Sequence, residues 1–361
     1  MHTTRKLRAL GQSLWLDSIT REILDNGTLP CYIDHYSITG LTSNPTIFDE
    51  AIGKTTAYDA EIGSKAKGID DGEALFVELA LEDLRRAADL FRPIFEATEG
   101  NDGWVSMEVS PLLANDTRAS IEAAARIHAQ ADRSNLYVKI PGTPEGIRAI
   151  EESIFDGVPI NVTLLFSRDQ YVAAANAYLR GIERRIDAGR DPEVSSVASL
   201  FVSRWDTAVS DKMPAELRNR LGIAIAKQTY RAYRELLASA RWERLDRAGA
   251  RAQRLLWAST GTKDPNASDT LYVEALAAPD TIDTMPEKTL LAFADHGRIG
   301  PPLPEDGGDF ESEIERFRKA GIDIDVLAVQ LQQNGAKQFV KSWNELLRRI
   351  AEKSRALAPT A

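Results

Sequence analysis

Short apolar segments of β character alternate along this chain with longer stretches of 3.6-residue periodicity, and that alternation restricts the possible architectures more than any other feature. The strand candidates are Leu14 to Ser18, Ile38 to Thr42, Trp104 to Val109, Asn135 to Ile140, Ile160 to Leu165, Ser196 to Val202, Leu255 to Ser259 and Thr281 to Met285. Between them, Ala74 to Phe95, Ser120 to Gln130, Gln170 to Ile186 and Ala224 to Arg241 carry the helical period. Strand, helix and parallel strand form a right-handed crossover, so strict alternation predicts a parallel α/β sheet. A count near eight favours closure into a (β/α)8 TIM-type barrel over an open doubly wound sheet, and one such domain over residues 1–361 accounts for the whole length.

Helix starts follow directly on several strand ends. Ser167-Arg168-Asp169-Gln170 and Thr284-Met285-Pro286-Glu287 match the capping box, in which a side-chain oxygen satisfies an orphan backbone N–H and the Gln or Glu reciprocates. Asn44-Pro45 and Thr143-Pro144 place a cap residue before a proline at the first helical position. The Pro-, Gly- and acid-rich stretch from Gly300 to Gly308 predicts a surface loop. After it, the pattern from Ile322 to Leu357 places residues 309–361 as terminal helices packed on the barrel exterior.

Composition excludes several classes of function. Apolar residues make up 43% and charged residues 27%, as in ordinary globular proteins. The formal charge of −10 comes without a basic block, which argues against a nucleic-acid partner, whereas a small phosphorylated ligand needs only a few placed cations. A single cysteine, Cys31, excludes an intrachain disulfide and a multi-cysteine zinc site, and fits a reducing cytoplasm. No run approaches the roughly 18 apolar residues of a membrane span, and no secretory signal is evident. The histidines His2, His35, His128 and His296 are scattered without metal-ligand spacing, so no metal is expected. Gly53-Lys54-Thr55 resembles the end of a phosphate-binding loop, but Phe48 stands where the first glycine is required, which predicts a helix-end turn. Neither a dinucleotide-binding glycine fingerprint nor a Gly-x-Ser-x-Gly nucleophile elbow occurs, so no cofactor and no serine triad are expected.

Within Asn135-Leu136-Tyr137-Val138-Lys139-Ile140-Pro141 an isolated lysine ends an otherwise apolar strand. Alternation puts Leu136, Val138 and Ile140 on one face, and Tyr137 with Lys139 on the other. A surface lysine laying its stem over apolar neighbours is the commoner occupant of such a position. A buried ammonium must be paired or lose its proton, since full desolvation lowers a lysine pKa by up to roughly 3 to 5 units. The neutral amine is then a nucleophile toward carbonyls, with Schiff-base formation its main enzymatic use.

In a barrel of this type the site lies at the carboxyl ends of the strands. Polar residues collect there: Asp17 on the first strand, Thr42 and Asn44 on the second, Glu108 on the third, Lys139 on the fourth, Asn161 and Thr163 on the fifth, Ser199 and Arg204 on the sixth, and Ser259 on the seventh. Asn161 and Thr163 share a face, as do Trp15 and Asp17. One buried polar residue is an ordinary structural hydrogen bond; a convergent set from so many strands points to a site.

The blocks Gly40-Leu41-Thr42-Ser43-Asn44-Pro45-Thr46, Val105-Ser106-Met107-Glu108-Val109, Leu136-Tyr137-Val138-Lys139-Ile140-Pro141, Asn161-Val162-Thr163-Leu164-Leu165-Phe166-Ser167 and Ser199-Leu200-Phe201-Val202-Ser203-Arg204 resemble the transaldolase family, in the same order and at compatible spacing. The resemblance runs from about Leu14 to His296. It implies that Lys139 is the Schiff-base lysine, that Glu108 and Thr163 position a catalytic water, and that Asp17 transfers a proton. It further implies that Asn44 and Asn161, with Thr42 and Ser199 near them, bind substrate hydroxyls, that Phe201 lies beside the lysine, and that Arg204 and Ser259 hold a phosphate. The implied activity is transfer of a dihydroxyacetone unit between sugar phosphates in the pentose phosphate pathway, without cofactor, metal, nucleic acid or membrane, by a monomer or homodimer. The chain departs from the family at Gly261, where a second phosphate-binding arginine is expected, and Lys263 is the candidate to replace its charge. Two rivals remain on sequence alone: a fructose-6-phosphate aldolase-like class I aldolase releasing free dihydroxyacetone, and a non-catalytic sugar-phosphate binder. The binder would have no use for a desolvated lysine.

Overall fold

The computed structural model describes residues 2–69 and 71–357. Its strands are β1 (Ser13–Asp17), β2 (Ile38–Thr42), β3 (Trp104–Glu108), β4 (Leu136–Pro141), β5 (Ile160–Leu165), β6 (Ser196–Phe201), β7 (Arg254–Ala258) and β8 (Ile282–Met285). They pair in sequence order into a closed barrel, with β1 parallel to both β2 and β8, so the sheet has no free edge. All eight predicted strands are present, with ends shifted by at most one residue. No helix among the described residues is long and apolar enough to cross a membrane.

The predicted helices extend to Gly72–Ala97, Thr117–Ala131 and Arg168–Asp187. The fourth, expected over Ala224 to Arg241, is two helices: Leu221–Leu237 ends, and Ser239 accepts from the Trp242 N–H to start Ala240–Arg247. Serine caps a new helix at low cost there, which breaks an apolar periodicity that runs on through the turn. Asn44 and Thr143 cap the helices Pro45–Lys54 and Pro144–Asp156 as expected, and Ser167 with Gln170 forms the full capping box. The box expected at Thr284 does not form. Strand alternation turns Thr284 into the barrel, where its hydroxyl shares a 2.7 Å hydrogen bond with Thr42, while Glu287 accepts from the Tyr32 hydroxyl at 2.6 Å.

Past the 300–308 loop, the terminal region comprises Phe310–Lys319 and one continuous 34-residue helix, Ile324–Leu357; residues 358–361 of the predicted region lie outside the described residues. The long helix packs on Pro45–Lys54, Asp59–Lys65 and Gly72–Ala97, and reaches the end of β5.

Two apolar layers result. One fills the space between sheet and helices, with Leu14, Leu16, Val105, Val138, Ile140 and Val162 facing outward from the strands. The other fills the barrel and includes Trp15, Trp104, Tyr137, Val197, Leu256 and Ile282. The Trp104 and Tyr137 rings stack with centroids 4.0 Å apart. Gly40 is required there, because a Cβ on it would lie 2.6 Å from the Trp15 ring. Trp15 donates to Asp102, which also accepts from Ser13, and Arg254 donates to Ser13, so the indole is hydrogen-bonded at the floor and the space above it is left to polar residues.

Candidate active site

A cavity of about 680 Å³ opens over the carboxyl ends of the strands, within the size range of small-ligand sites. Ten of the twelve predicted site residues line it: Asp17, Thr42, Asn44, Lys139, Thr163, Ser199, Phe201, Arg204, Ser259 and Lys263. The other two lie behind this wall. Glu108 sits beside Lys139, and Asn161 is fully buried.

Lys139 is 6% exposed and its Nζ donates to the Ser43 carbonyl at 2.7 Å. The same nitrogen lies 3.4 Å from Glu108 Oε2, whose strand neighbour it is, since Glu108 and Lys139 are paired across β3 and β4. The ammonium is therefore paired, as its burial demands. Glu108 Oε1 accepts from the Thr163 hydroxyl at 3.3 Å, whereas Oε2 has no hydrogen-bond partner among the described residues. Burial pushes the Glu108 carboxyl above its ordinary range, against the opposing pull of Lys139. Its Oε2 is thus a proton acceptor within short reach of the lysine.

Asp17, at the end of β1, accepts from Thr42 at 2.7 Å, and its carboxyl is also raised by burial, with Lys139 the largest opposing influence. Two carboxylates with raised proton affinity thus lie within electrostatic reach of one amine, an arrangement suited to proton transfer. Below them, Ser199 donates to Asn161 Oδ1 at 2.7 Å and the Asn161 amide donates to Ser106 at 3.2 Å. Asn161 is thereby fixed by β3 and β6 and orients Ser199 toward the cavity. Asn44 spends its side-chain oxygen on the Ile47 N–H, which leaves its NH2 as the group free for a ligand.

Arg204 and Lys263 bring positive charge to the cavity wall. Arg204 stands on the helix Ser203–Val209, beyond the strand end where it was expected, and its guanidinium lies over the rings of Phe201 and Phe339 at 5.0 and 5.8 Å. Burial lowers its pKa, opposed by Glu108 and Asp17. Ser259 follows directly on β7 with φ +57°, and its hydroxyl meets that of Ser203 at 2.9 Å. Lys263 is on the rim with Gly261.

Sequence reasoning missed Ser106, Thr284, the Ser43 carbonyl and Phe339. Ser106 shares the strand face of Glu108 and Thr284 that of Ile282, so alternation carries the signal for both. Phe339, 6% exposed in the remote C-terminal helix, carries none.

Comparison with known proteins adds a family match over nearly the whole chain. The family described as transaldolase/fructose-6-phosphate aldolase matches residues 14–350. A transaldolase of Thiobacillus denitrificans is 42% identical over 97% of this chain and 100% of its own length. That of Thermobifida fusca is 43% identical over 96% of this chain and 97% of its own. Transaldolase 2 of Nostoc punctiforme is 38% identical over 98% of each.

Proposed function

The chain belongs to the transaldolase/fructose-6-phosphate aldolase family, and from that premise we propose that it is a transaldolase of the pentose phosphate pathway, moving a dihydroxyacetone unit between sugar phosphates through a Schiff base on Lys139. The observation that carries this reading is a buried amine, Lys139, 3.4 Å from the buried carboxylate of Glu108 and within electrostatic reach of Asp17, in a cavity that Arg204 and Lys263 also line.

Glu108 takes the proton from Lys139, and the free amine attacks C2 of a ketose phosphate such as fructose 6-phosphate or sedoheptulose 7-phosphate. Water then leaves the carbinolamine, with Glu108 and Thr163 passing protons through a water held between them. The iminium draws electrons from the C3–C4 bond as Asp17 removes the C4 hydroxyl proton. The bond breaks, an aldose phosphate departs, and a dihydroxyacetone carbanion remains on Lys139. Its C3 attacks the incoming aldose carbonyl, Asp17 returns the proton, and hydrolysis of the new imine frees the lysine. Asn44, Thr42 and Ser199 contact the hydroxyls, with Asn161 buried behind them as the acceptor for Ser199 rather than a direct ligand; Phe201 walls the reacting carbons, and Arg204, Ser259 and Lys263 hold the phosphate.

Borohydride reduction with fructose 6-phosphate tests the reading. A three-carbon adduct should map to the peptide bearing Lys139 and to no other lysine; labelling elsewhere with Lys139 unmodified ends the proposal. Turnover that requires an acceptor aldose, without release of free dihydroxyacetone, separates a transaldolase from a simple aldolase on the same barrel.

A further inference from the structure

The helix Ile324–Leu357 places Gln332, Gly335 and Phe339 three and four residues apart, on one face over the carboxyl ends of β4 to β6. Each makes a defined contact. The buried Gln332 amide donates to the carbonyl oxygens of Gly142 at 2.9 Å and Leu164 at 3.0 Å. Leu164 has φ +56° where the pairing of β5 with β6 shifts register, so its backbone leaves the regular ladder and the helix supplies a partner for its oxygen. Gly335 packs against this bulge: a Cβ there would sit 2.9 Å from Leu164 Cδ2 and 3.1 Å from Arg204 Nη1. One turn further on, Phe339 reaches the cavity wall and its ring meets the Arg204 guanidinium, which also lies over Phe201.

We propose that the C-terminal helix is the positioning element of the phosphate subsite, with Gln332 docking it on β4 and β5, Gly335 leaving room for Arg204, and Phe339 with Phe201 fixing the plane of the guanidinium. Arginine binds a phosphate through a planar fork of N–H donors, so affinity depends on that plane being held before the ligand arrives. An arginine on a mobile stem would lose rotamer freedom on each binding event; one held by two rings has already lost it. Phe339 and Gly335 are positioning residues acting through Arg204, and the inference rests on Arg204 as the phosphate ligand. A contact made equally in ground and transition states changes KM and leaves kcat, which separates this role from a merely structural one.

The test measures the inhibition constant of inorganic phosphate, competitive with fructose 6-phosphate, in Arg204→Ala, Phe339→Leu, Phe339→Tyr and Gly335→Ala, with thermal melts to establish folding. Phe339→Leu keeps most of the volume and removes the ring face, so the constant should rise about three- to tenfold while kcat at saturation stays within about twofold. Phe339→Tyr keeps the ring and should bind phosphate nearly as the parent does. Gly335→Ala should weaken phosphate by about tenfold through the methyl group alone, and it carries the test independently if Phe339→Leu does not fold. The inference is overturned if Arg204→Ala loses phosphate affinity while folded Phe339→Leu and Gly335→Ala retain it. Unchanged affinity in Arg204→Ala instead removes the phosphate assignment itself and the inference with it.

Discussion

Glu108 and Lys139 are direct partners across β3 and β4, and Lys139 Nζ lies 3.4 Å from Glu108 Oε2 in a setting where both side chains are almost wholly buried. Each charge therefore depends on the other. Glu108→Gln keeps size and most hydrogen bonds but removes proton transfer, so kcat should fall by about 10² to 10⁴ while KM moves little. Steady-state kinetics with fructose 6-phosphate and an aldose phosphate check this, and an unchanged kcat removes Glu108 from the mechanism.

Lys139→Met leaves Glu108 buried without its cation, and should give inert but folded protein with a distinct pH profile of stability. The folded-state pKa of Glu108 is already above that of the unfolded chain, and loss of Lys139 raises it further. The native state then holds a proton that the unfolded state has released, so stability falls as pH rises from the unfolded value through the folded one. The variant should lose most stability on the alkaline side, by about 3 to 5 kcal/mol for an uncompensated buried charge. Adding Glu108→Gln should restore it, and melts of the single and double variants at pH 5 and 8 would show whether it does.

The barrel was legible because period 2 and period 3.6 alternate cleanly, and because Asn44, Thr143 and Ser167 mark helix starts by local hydrogen bonds. The lower site was legible for the same reason: a strand's parity decides which of its residues face inward, so Lys139 and Thr163 fall in the cavity wall, with Glu108 directly behind. Where a competing interaction decided the outcome, local pattern failed. Thr284 has a capping sequence around it, yet the barrel interior takes its hydroxyl. Ala224 to Arg241 keeps its apolar period across a serine that starts a new helix. The phosphate end was only half legible, since Phe339 lies more than a hundred residues beyond Arg204 in the chain and its place is set by how a long terminal helix crosses the barrel.

Asp283 offers a second test of burial. It lies on β8, fully buried, with Oδ1 accepting from Thr260 at 2.7 Å and Oδ2 without a partner among the described residues. Burial pushes its carboxyl from 3.8 up to about 7. Between those values the native state holds a proton that the unfolded chain lacks, so its contribution to stability declines as pH rises through that window and levels off above about 7. Asp283→Asn cannot ionise and still accepts from Thr260. It should exceed the parent by a wider margin at pH 8 than at pH 5, the margin growing by an amount on the order of a few kcal/mol. A parallel shift of melting temperature at both pH values would assign the proton elsewhere.

Turnover should be unaffected by EDTA. Among the described residues no group of three or more His, Cys, Asp or Glu side chains converges as a metal site, and in the proposed mechanism an iminium on Lys139 is the electron sink that a divalent ion provides in metal-dependent aldolases. Loss of activity in chelator, restored by a divalent cation, would place the chemistry in another class.

Binding and chemistry should separate within the cavity. Arg204 lies over two aromatic rings in the cavity wall, and the proposed contact with a substrate phosphate would be present before and during bond cleavage. Arg204→Ala should therefore raise KM strongly with a smaller change in kcat, the opposite of Glu108→Gln. Lys263 lines the same cavity beside Gly261, and a glycine at that point exposes backbone N–H groups without adding charge. If Lys263 shares the phosphate, Lys263→Ala should raise KM less than Arg204→Ala does, because an ammonium on an exposed stem is more screened than a guanidinium held by two rings. The double variant should then depart from the sum of the two single effects, since both groups act on one phosphate. Simple additivity would place Lys263 on the rim without contact to the phosphate, and a normal KM for both sugars in Arg204→Ala would put the phosphate at another part of the cavity.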